Sequence, residues 1–507
     1  MKLRIVGIIV LIFVSTGTSA DSFGIHKMMV GDKVLEVVET RQLTFRDDGD
    51  VQSITISPDG KYVVYLTIQP NIDSNSRIAR MYLVKLSNEK SIMLMEGSLP
   101  DNDYPDIYQW KLPSYVYWSP NSKYFTLNAG LKMEGKDDNG KPYRRRESLL
   151  IFDTMGSMTG SYYLPKDYYY FPSKWSPDSS KVALVSRGNR DKDTGECDNT
   201  LIVYDLYSKQ AQTLFTIRSR TLTIDKWTSD SEGVICCEST GDGKYVFHNI
   251  SLDGQASTQT DAESAEYSYE LLHNIPFDLI STDDGTAIKE ISTGKTLCTI
   301  KGLKYYHAWA IPKTRFVRYW TQQDIQIEPN GAKTKLCYCW LVYPEGEKQN
   351  RMCVATADRH GNDVWSDNGL KIAYVSEGKA FVTDLEYRKA TPREKTAAGV
   401  PLTDEETRTL LLENAHQISD AIEVSIMSSE YYPSQDDFIK RIGYYLRDKT
   451  SLLLPGTDKM AVTYFKPDDK YNIANLPPAD TIIATLDSGY GWKLNIYADG
   501  RVGEALK

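Results

Sequence analysis

Apolar and polar positions alternate along most of the chain. "KVALVS" at 181–186, "KYVVYLT" at 61–67, "KYFTLNA" at 123–129 and "KIAYVS" at 371–376 are rich in β-branched and aromatic residues, and each predicts a strand. Each is preceded by a turn composition: "SPDS", "SPDG", "SPNS" and "SDNG". Pro presets φ for the first central position of a turn, and Asp, Asn and Ser bond to the backbone beyond them. An aromatic or apolar anchor stands before each turn. The whole unit recurs from Ile56, Trp118, Trp175, Trp227, Trp309 and Trp365, with successive starts 62, 57, 52, 82 and 56 residues apart.

Between these copies runs a second pattern. "ARMYLVKLSNEKSIML", "SLLIFDTMGSMTGSYYL", "NTLIVYDLYSKQAQTLF" and "GKAFVTDLEYRKATPR" each read as strand, polar turn, strand. A unit therefore holds about four antiparallel strands. Repeats of this size with four strands predict propeller blades. One blade cannot bury both its faces; stacking on neighbours does so. The recurring Trp is accordingly read as packing between blades. The 82-residue gap leaves room for a degenerate copy, and 269–300 offers three or four short strands without a Trp. The expectation is a mainly β protein, a β-propeller of about seven four-stranded blades over 21–402. Residues 35–45 are expected to supply an outer strand to the last blade.

After Pro401 the period changes. Leu410, Leu411, Ala415, Ile418, Ile422 and Ile426 have helical spacing, with Thr403 and Glu406 placed as a capping box. A second short helix is expected through Phe438, Ile442 and Leu446, capped by Ser434. "AVTYF", "TIIATLD" and "WKLNIYADGRV" then predict strands, the last turning at Asp499-Gly500. Residues 403–507 thus read as a small α+β domain.

The repeats resemble the WD-like repeats of bacterial TolB-type propellers, also found in the propellers of prolyl oligopeptidase-type enzymes, over about 35–400. The segment at 405–505 resembles the soluble domain of type II secretion pseudopilin-like proteins, through its long helix, "YYPS", "IGYYLRD", "PADTIIATLD" and "YADGRV". Many of those relatives have "ADGHV", where this chain has Arg501. Pilins carry an apolar assembly helix directly before this domain; here a propeller precedes it, so filament assembly does not carry over.

The first twenty residues change the picture of location. Lys2 and Arg4, an apolar run from Ile5 to Val14 and small residues ending "TSA" form a secretory signal pattern, with cleavage expected after Ala20. The apolar run is short for a membrane span. The mature protein is expected to be periplasmic or secreted and not an integral membrane protein. Removing Lys2 and Arg4 takes the formal charge from −9 to −11. That acidity and the lack of a basic stripe argue against nucleic acid as a partner. Composition is that of a globular protein, 41% hydrophobic and 25% charged. The seven Cys, at 197, 236, 237, 298, 337, 339 and 353, form no paired CxxC spacing; an oxidising compartment would allow some to pair.

Local signatures of chemistry are sparse. There is no G-x-S-x-G, H-E-x-x-H, Walker A loop or G-x-G-x-x-G. Ser157, in "GSMTG", does not form a nucleophile elbow. The six His, at 26, 248, 273, 307, 360 and 416, are scattered, with His307 and His360 shortly before repeat turns. Asn189, Asp191, Asp193 and Asp198 put oxygens at alternate positions beside Gly195; the spacing fits neither the EF-hand nor the common propeller calcium loop, so the stretch reads as a solvated interstrand loop, with a calcium site as the alternative. The aromatic run 162–175 suits an inter-blade loop or a contact surface. No catalytic, cofactor-binding or metal-binding residue is assigned, and no cofactor. The reading is an exported, non-catalytic scaffold of the cell envelope that binds a protein or peptide partner. Two alternatives stand beside it: a carbohydrate-active or hydrolytic propeller enzyme with acidic residues near the axis, and an assembly component acting through 403–507.

Overall fold

The computed structural model describes residues 26–504 apart from 45–48, 72–75, 101–115, 132–145, 165–168, 171–172, 189, 240–244, 261–276, 303–307, 312, 327–332, 345–349, 359–362, 447–448, 454–458 and 488–491. The expected signal peptide, and His273, His307 and His360, lie outside the described residues. The chain divides into two compact units, one spanning Glu36–Glu386 with Ile25–Lys27, the other containing Tyr387–Lys507 and Met28–Leu35.

The Glu36–Glu386 unit is built of antiparallel sheets that follow one another along the sequence. The first sheet runs Asp50–Ile56, Tyr62–Asn71, Ser76–Lys85, Lys90–Pro100, and the second Val116–Trp118, Tyr124–Leu131, Arg146–Asp153, Met158–Tyr163. In the third, Lys174–Trp175 and Tyr169–Tyr170 both pair with Lys181–Arg187, followed by Cys197–Asp205 and Gln210–Ser219. The fourth is Thr221–Trp227, Gly233–Ser239, Tyr245–Ser251, Ala256–Thr260. The degenerate stretch forms a fifth sheet of three described strands, Phe277–Thr282, Gly285–Glu290 and Thr296–Lys301. The sixth is Ala308–Ala310, Val317–Gln326, Lys333–Tyr343, Asn350–Ala357. The seventh begins Asp363–Trp365, Lys371–Ser376, Lys379–Lys389, and its next strand is Lys33–Gln42, from the other end of the chain, with Lys27–Val30 beyond it.

Apolar faces of neighbouring sheets close on each other. Leu66 and Leu83 of the first meet Phe125 and Phe152 of the second. Leu149 and Ile151 meet Val182 and Leu184 of the third. Val185 and Leu201 meet Leu222 and Val234 of the fourth. Ile288 and Ile300 of the fifth meet Val317 and Tyr319 of the sixth. Ala373 and Val382 of the seventh pack back on Val63 and Val84 of the first. Burial at this density, with many of these side chains fully covered, is what lets alternating strands with two apolar faces persist in water.

The repeat turn explains the recurrence of Ser. Ser57 Oγ donates to Asp59 Oδ1 (2.7 Å) and accepts from the backbone N–H of Lys61 (3.1 Å) and Tyr62 (3.0 Å), while Gly60 N–H closes the turn on Ser57 O (2.9 Å). Ser119, Ser176 and Ser366 repeat this, and Thr228 stands in their place in the fourth sheet. The residue that leaves each turn has positive φ: Gly60, Ser122, Ser179, Ser231 and Gly369.

In the second unit, helix α1 (Pro392–Ala397) is capped by Thr391 and Glu394, and α2 (Asp404–Ser429) by Thr403 and Glu406, both as capping boxes. Helix α3 (Phe438–Tyr445) starts after Asp437, which makes no side-chain cap. The Ser434 hydroxyl instead binds Asp437 within the preceding turn (3.2 Å from its N–H), so the helix begins later than that Ser suggests. Leu411, Ile418, Ile422 and Ile426 of α2 pack on an antiparallel sheet of Val462–Tyr464, Ile482–Asp487, Lys493–Tyr497 and Val502–Glu504. Gly500, at φ 83°, makes the last turn. Among the described residues no helix is long and apolar enough to cross a membrane.

Candidate functional site

The repeat turns are bonded to one another. Asp59 N–H donates to Ser122 Oγ (3.0 Å), Asn121 N–H to Ser179 Oγ (3.1 Å) and Asp178 N–H to Ser231 Oγ (3.2 Å). Asp367 N–H donates to Pro58 O (2.9 Å), and Lys313 pairs with Asp367. The turns of the first to fourth, sixth and seventh sheets therefore share one end of the stack. At Asp178, burial works against ionisation, but hydrogen bonds from Ser176 and Ser180 and the nearby Lys181 charge bring its pKa down to about 2. The described strands end at the opposite end at Pro100 and Val116, Leu131 and Arg146, Arg187 and Cys197, Ser239 and Tyr245, and Thr260 and Phe277. The sequence between these strand ends holds Tyr104, Tyr108, Trp110, Tyr115, Tyr143, Tyr267 and Tyr269.

The first strands of the sheets hold the recurring Trp. Trp175 Nε1 donates to Tyr117 O and Trp227 Nε1 to Lys174 O, both at 2.9 Å, so each ring wedges against the sheet before it. Lys174 ends in a polar spot. Burial lowers its pKa against the opposing pull of Asp225, and its Nζ donates to Asp225 O (2.5 Å). Asp225 is the extra residue of a bulge between Ile224 and Lys226, and its Oδ2 is buried without a hydrogen-bond partner.

The sixth and seventh sheets depart from the repeat. Asp363, whose side chain is fully buried, accepts from Arg318 Nη1 (2.5 Å) and Trp320 Nε1 (2.9 Å) on Oδ1, and from Trp365 Nε1 (2.8 Å) on Oδ2. Arg318 sits opposite Trp309 across the strand pair, its Cζ 4.7 Å from the ring centroid. Trp309 is 40% exposed, whereas Trp175 and Trp227 are buried. Packing between sheets thus accounts for Trp175 and Trp227 but not for Trp309. Burial also pushes the nearby Cys339 thiol well above its usual range.

The other sequence candidates resolve individually. Asp191 Oδ1 accepts from the backbone of Asp193 and Thr194 (both 2.9 Å), and Arg218 lies 3.5 Å from Asp191, 3.7 Å from Glu196 and 3.9 Å from Asp198. A guanidinium is thus the counter-charge of that loop; Asn189 lies outside the described residues. Among the described residues no group of three metal-ligating side chains occurs. His248 Nε2 is 2.8 Å from Glu238, with both side chains largely buried. His26 Nδ1 contacts Cys353 O (3.2 Å), and His416 is exposed on α2. Ser157 N–H donates to Asp153 in a tight turn. All seven Cys are free thiols, five of them buried. A shallow cleft, too small to enclose a ligand, lies between the first and second sheets, beside Ser53 and Val116. The Asp363 cluster has a sequence signal only in hindsight: "RYW" at 318–320 and "DVW" at 363–365 put Trp and charge on strands of neighbouring sheets.

No protein-family model matches the chain, and no curated protein does. Solved structures do. The oligogalacturonate lyase of Vibrio parahaemolyticus matches at 11% identity and TM-score 0.39, over 70% of this chain and 96% of that one. The β-propeller domain of the trilobed protease from Pyrococcus furiosus matches at 11% and 0.33, over 64% and 96%. The WD40 domain of SCAP from fission yeast matches at 9% and 0.31, over 69% and 90%.

Proposed function

We propose that residues 21–402 form a propeller of seven blades followed by an α+β domain, 403–507, and that the exported protein is a non-catalytic binding scaffold of the cell envelope. Its partner is a protein or peptide, held at the end of the blades opposite the repeat turns. The observation that carries this reading is the asymmetry of the two ends. One is fastened by short turns hydrogen-bonded from sheet to sheet. At the other, the described strands are separated by long stretches of sequence rich in Tyr. Loops on a rigid scaffold are where recognition residues concentrate, and Tyr gives large contact area at low entropic cost.

The test compares chains altered at the two ends, each crosslinked in the producing cell. Replacing Tyr104, Tyr108 and Trp110 by Ala, or Tyr267 and Tyr269 by Ala, is expected to reduce the crosslinked partner about tenfold or more. The pair Lys61→Glu and Lys123→Glu, exposed at the turn end, is expected to leave it unchanged. Partner loss from the turn-end pair, with the tyrosine variants unaffected, would overturn the reading.

A further inference from the structure

Between the third and fourth sheets, polar groups stand where the packing is otherwise apolar. Val185, Leu201, Leu222 and Val234 close that junction, yet Lys174 reaches across it and donates to Asp225 O (2.5 Å). The backbone under Lys174 is held on both sides: it pairs with Ala183, its carbonyl accepts from Trp227 Nε1 (2.9 Å), and Ser173 before it is buried. Asp225 is the extra residue of a bulge. Bulges re-aim a side chain, and they recur beside functional sites. Here the result is a carboxylate oxygen, Oδ2, that is buried with no hydrogen-bond partner among the described residues. Such an oxygen costs stability and calls for an explanation.

The chemistry of the cluster favours the amine. Burial lowers the Lys174 pKa, against the opposing pulls of Asp225 and Cys236. More of this amine is therefore neutral and nucleophilic than on a surface lysine. The neighbouring thiols move the other way: burial, with the Asp225 charge, pushes Cys236 up to about 12 and Cys237 up to about 11. Only a thiolate is a good sulfur nucleophile, so near neutral pH the nucleophile of the group is Lys174.

We propose that Lys174 is a covalent capture site for a small aldehyde, with Asp225 as its proton carrier. The inference goes beyond the scaffold reading and does not depend on it, since capture needs no turnover. The Nζ lone pair attacks the carbonyl carbon, and the C–N bond forms as the C=O π pair moves to oxygen. Asp225 carries the two amine protons, one at a time, to that oxygen, which leaves as water as the C=N bond forms. Lys174 is half-buried, which restricts the ligand to a small one.

The full chain is treated with propanal and cyanoborohydride at pH 7, and the rate at each lysine is read from peptide masses. Lys174 is expected to be alkylated about tenfold faster or more than the exposed Lys61 and Lys123. Asp225→Asn separates charge from proton transfer. The Asp225 charge favours the Lys174 ammonium, so loss of charge alone would speed the reaction, whereas loss of a proton carrier slows it about tenfold or more. Asp225→Glu, which keeps the carboxyl, should react at close to the parent rate. Lys174 reacting no faster than Lys61 and Lys123 in the parent chain would overturn the proposal. So would an Asp225→Asn chain, folded by its unfolding midpoint, that reacts at Lys174 as fast as the parent or faster.

Discussion

Ser179 shows how much one side chain carries. Its φ of 64° is a conformation that favours Gly. Its Oγ accepts the backbone N–H of Asn121 from the preceding sheet. Ser179→Ala keeps the strain and removes the acceptor, and is expected to cost about 1–3 kcal/mol. Ser179→Gly removes both, so chemical denaturation should place it about 1 kcal/mol above the Ala variant. Asp178 adds a pH dependence. Its carboxyl is depressed to about 2 when folded, against roughly 3.9 unfolded. The stabilisation is complete above the unfolded value and is lost as pH falls toward 2. Allowing for solvent screening of this exposed group, Asp178→Asn should remove about 1 kcal/mol of the acid dependence, read from midpoints between pH 5 and 2.5. At Asp363, substitution by Ala strands Arg318 beside buried indoles, for a loss of about 3–5 kcal/mol. The Ser-Pro-Asp turns were legible in sequence because their chemistry is local. The Asp363 cluster was not, because Arg318 and Asp363 meet only where the sixth sheet packs against the seventh.

Elements differ in how openly they declare themselves. The 404–429 helix is legible because six apolar residues at helical spacing follow a capping box, and its buried face is the one that spacing marks. The short α1 helix escapes periodicity because six residues complete too few turns, although "TPRE" carries its own capping box. The strand at 33–42 was expected at 35–45 as an outer strand of the last sheet, and it does join the seventh sheet, which has three strands of its own, with Lys27–Val30 beyond it. That sheet also imposes a constraint that no alternation reveals. Gly378, φ 68°, turns its last hairpin, and a Cβ there would lie 2.6 Å from Asp50 Oδ1 of the first sheet. Gly378→Ala is therefore expected to cost more than about 2 kcal/mol, visible as a lowered denaturation midpoint at unchanged slope.

At the scale of the whole molecule, the functional reading depends on the first and seventh sheets being neighbours. Arg41, on the N-terminal strand, holds that junction through Asp384 (2.7 Å) and Leu86 O (3.1 Å), and Lys371 also pairs with Asp384. The fifth sheet shows where sequence alone runs short: its repeat has lost both Trp and turn, so only the spacing of its neighbours signals it. In the proposed ring every sheet has two neighbours, and the bonded turns hold one end of the first to fourth, sixth and seventh sheets. The most direct test is the double variant Gly60→Cys with Ser366→Cys. A Cβ at 60 would lie 3.3 Å from that of Ser366, within reach of a disulfide after a small adjustment. Mild oxidation should join the peptide containing residue 60 to that containing residue 366 in mass spectra of the unreduced digest. Two thiols that remain freely titratable under the same oxidation, in a chain that is otherwise folded, would contradict the closed arrangement.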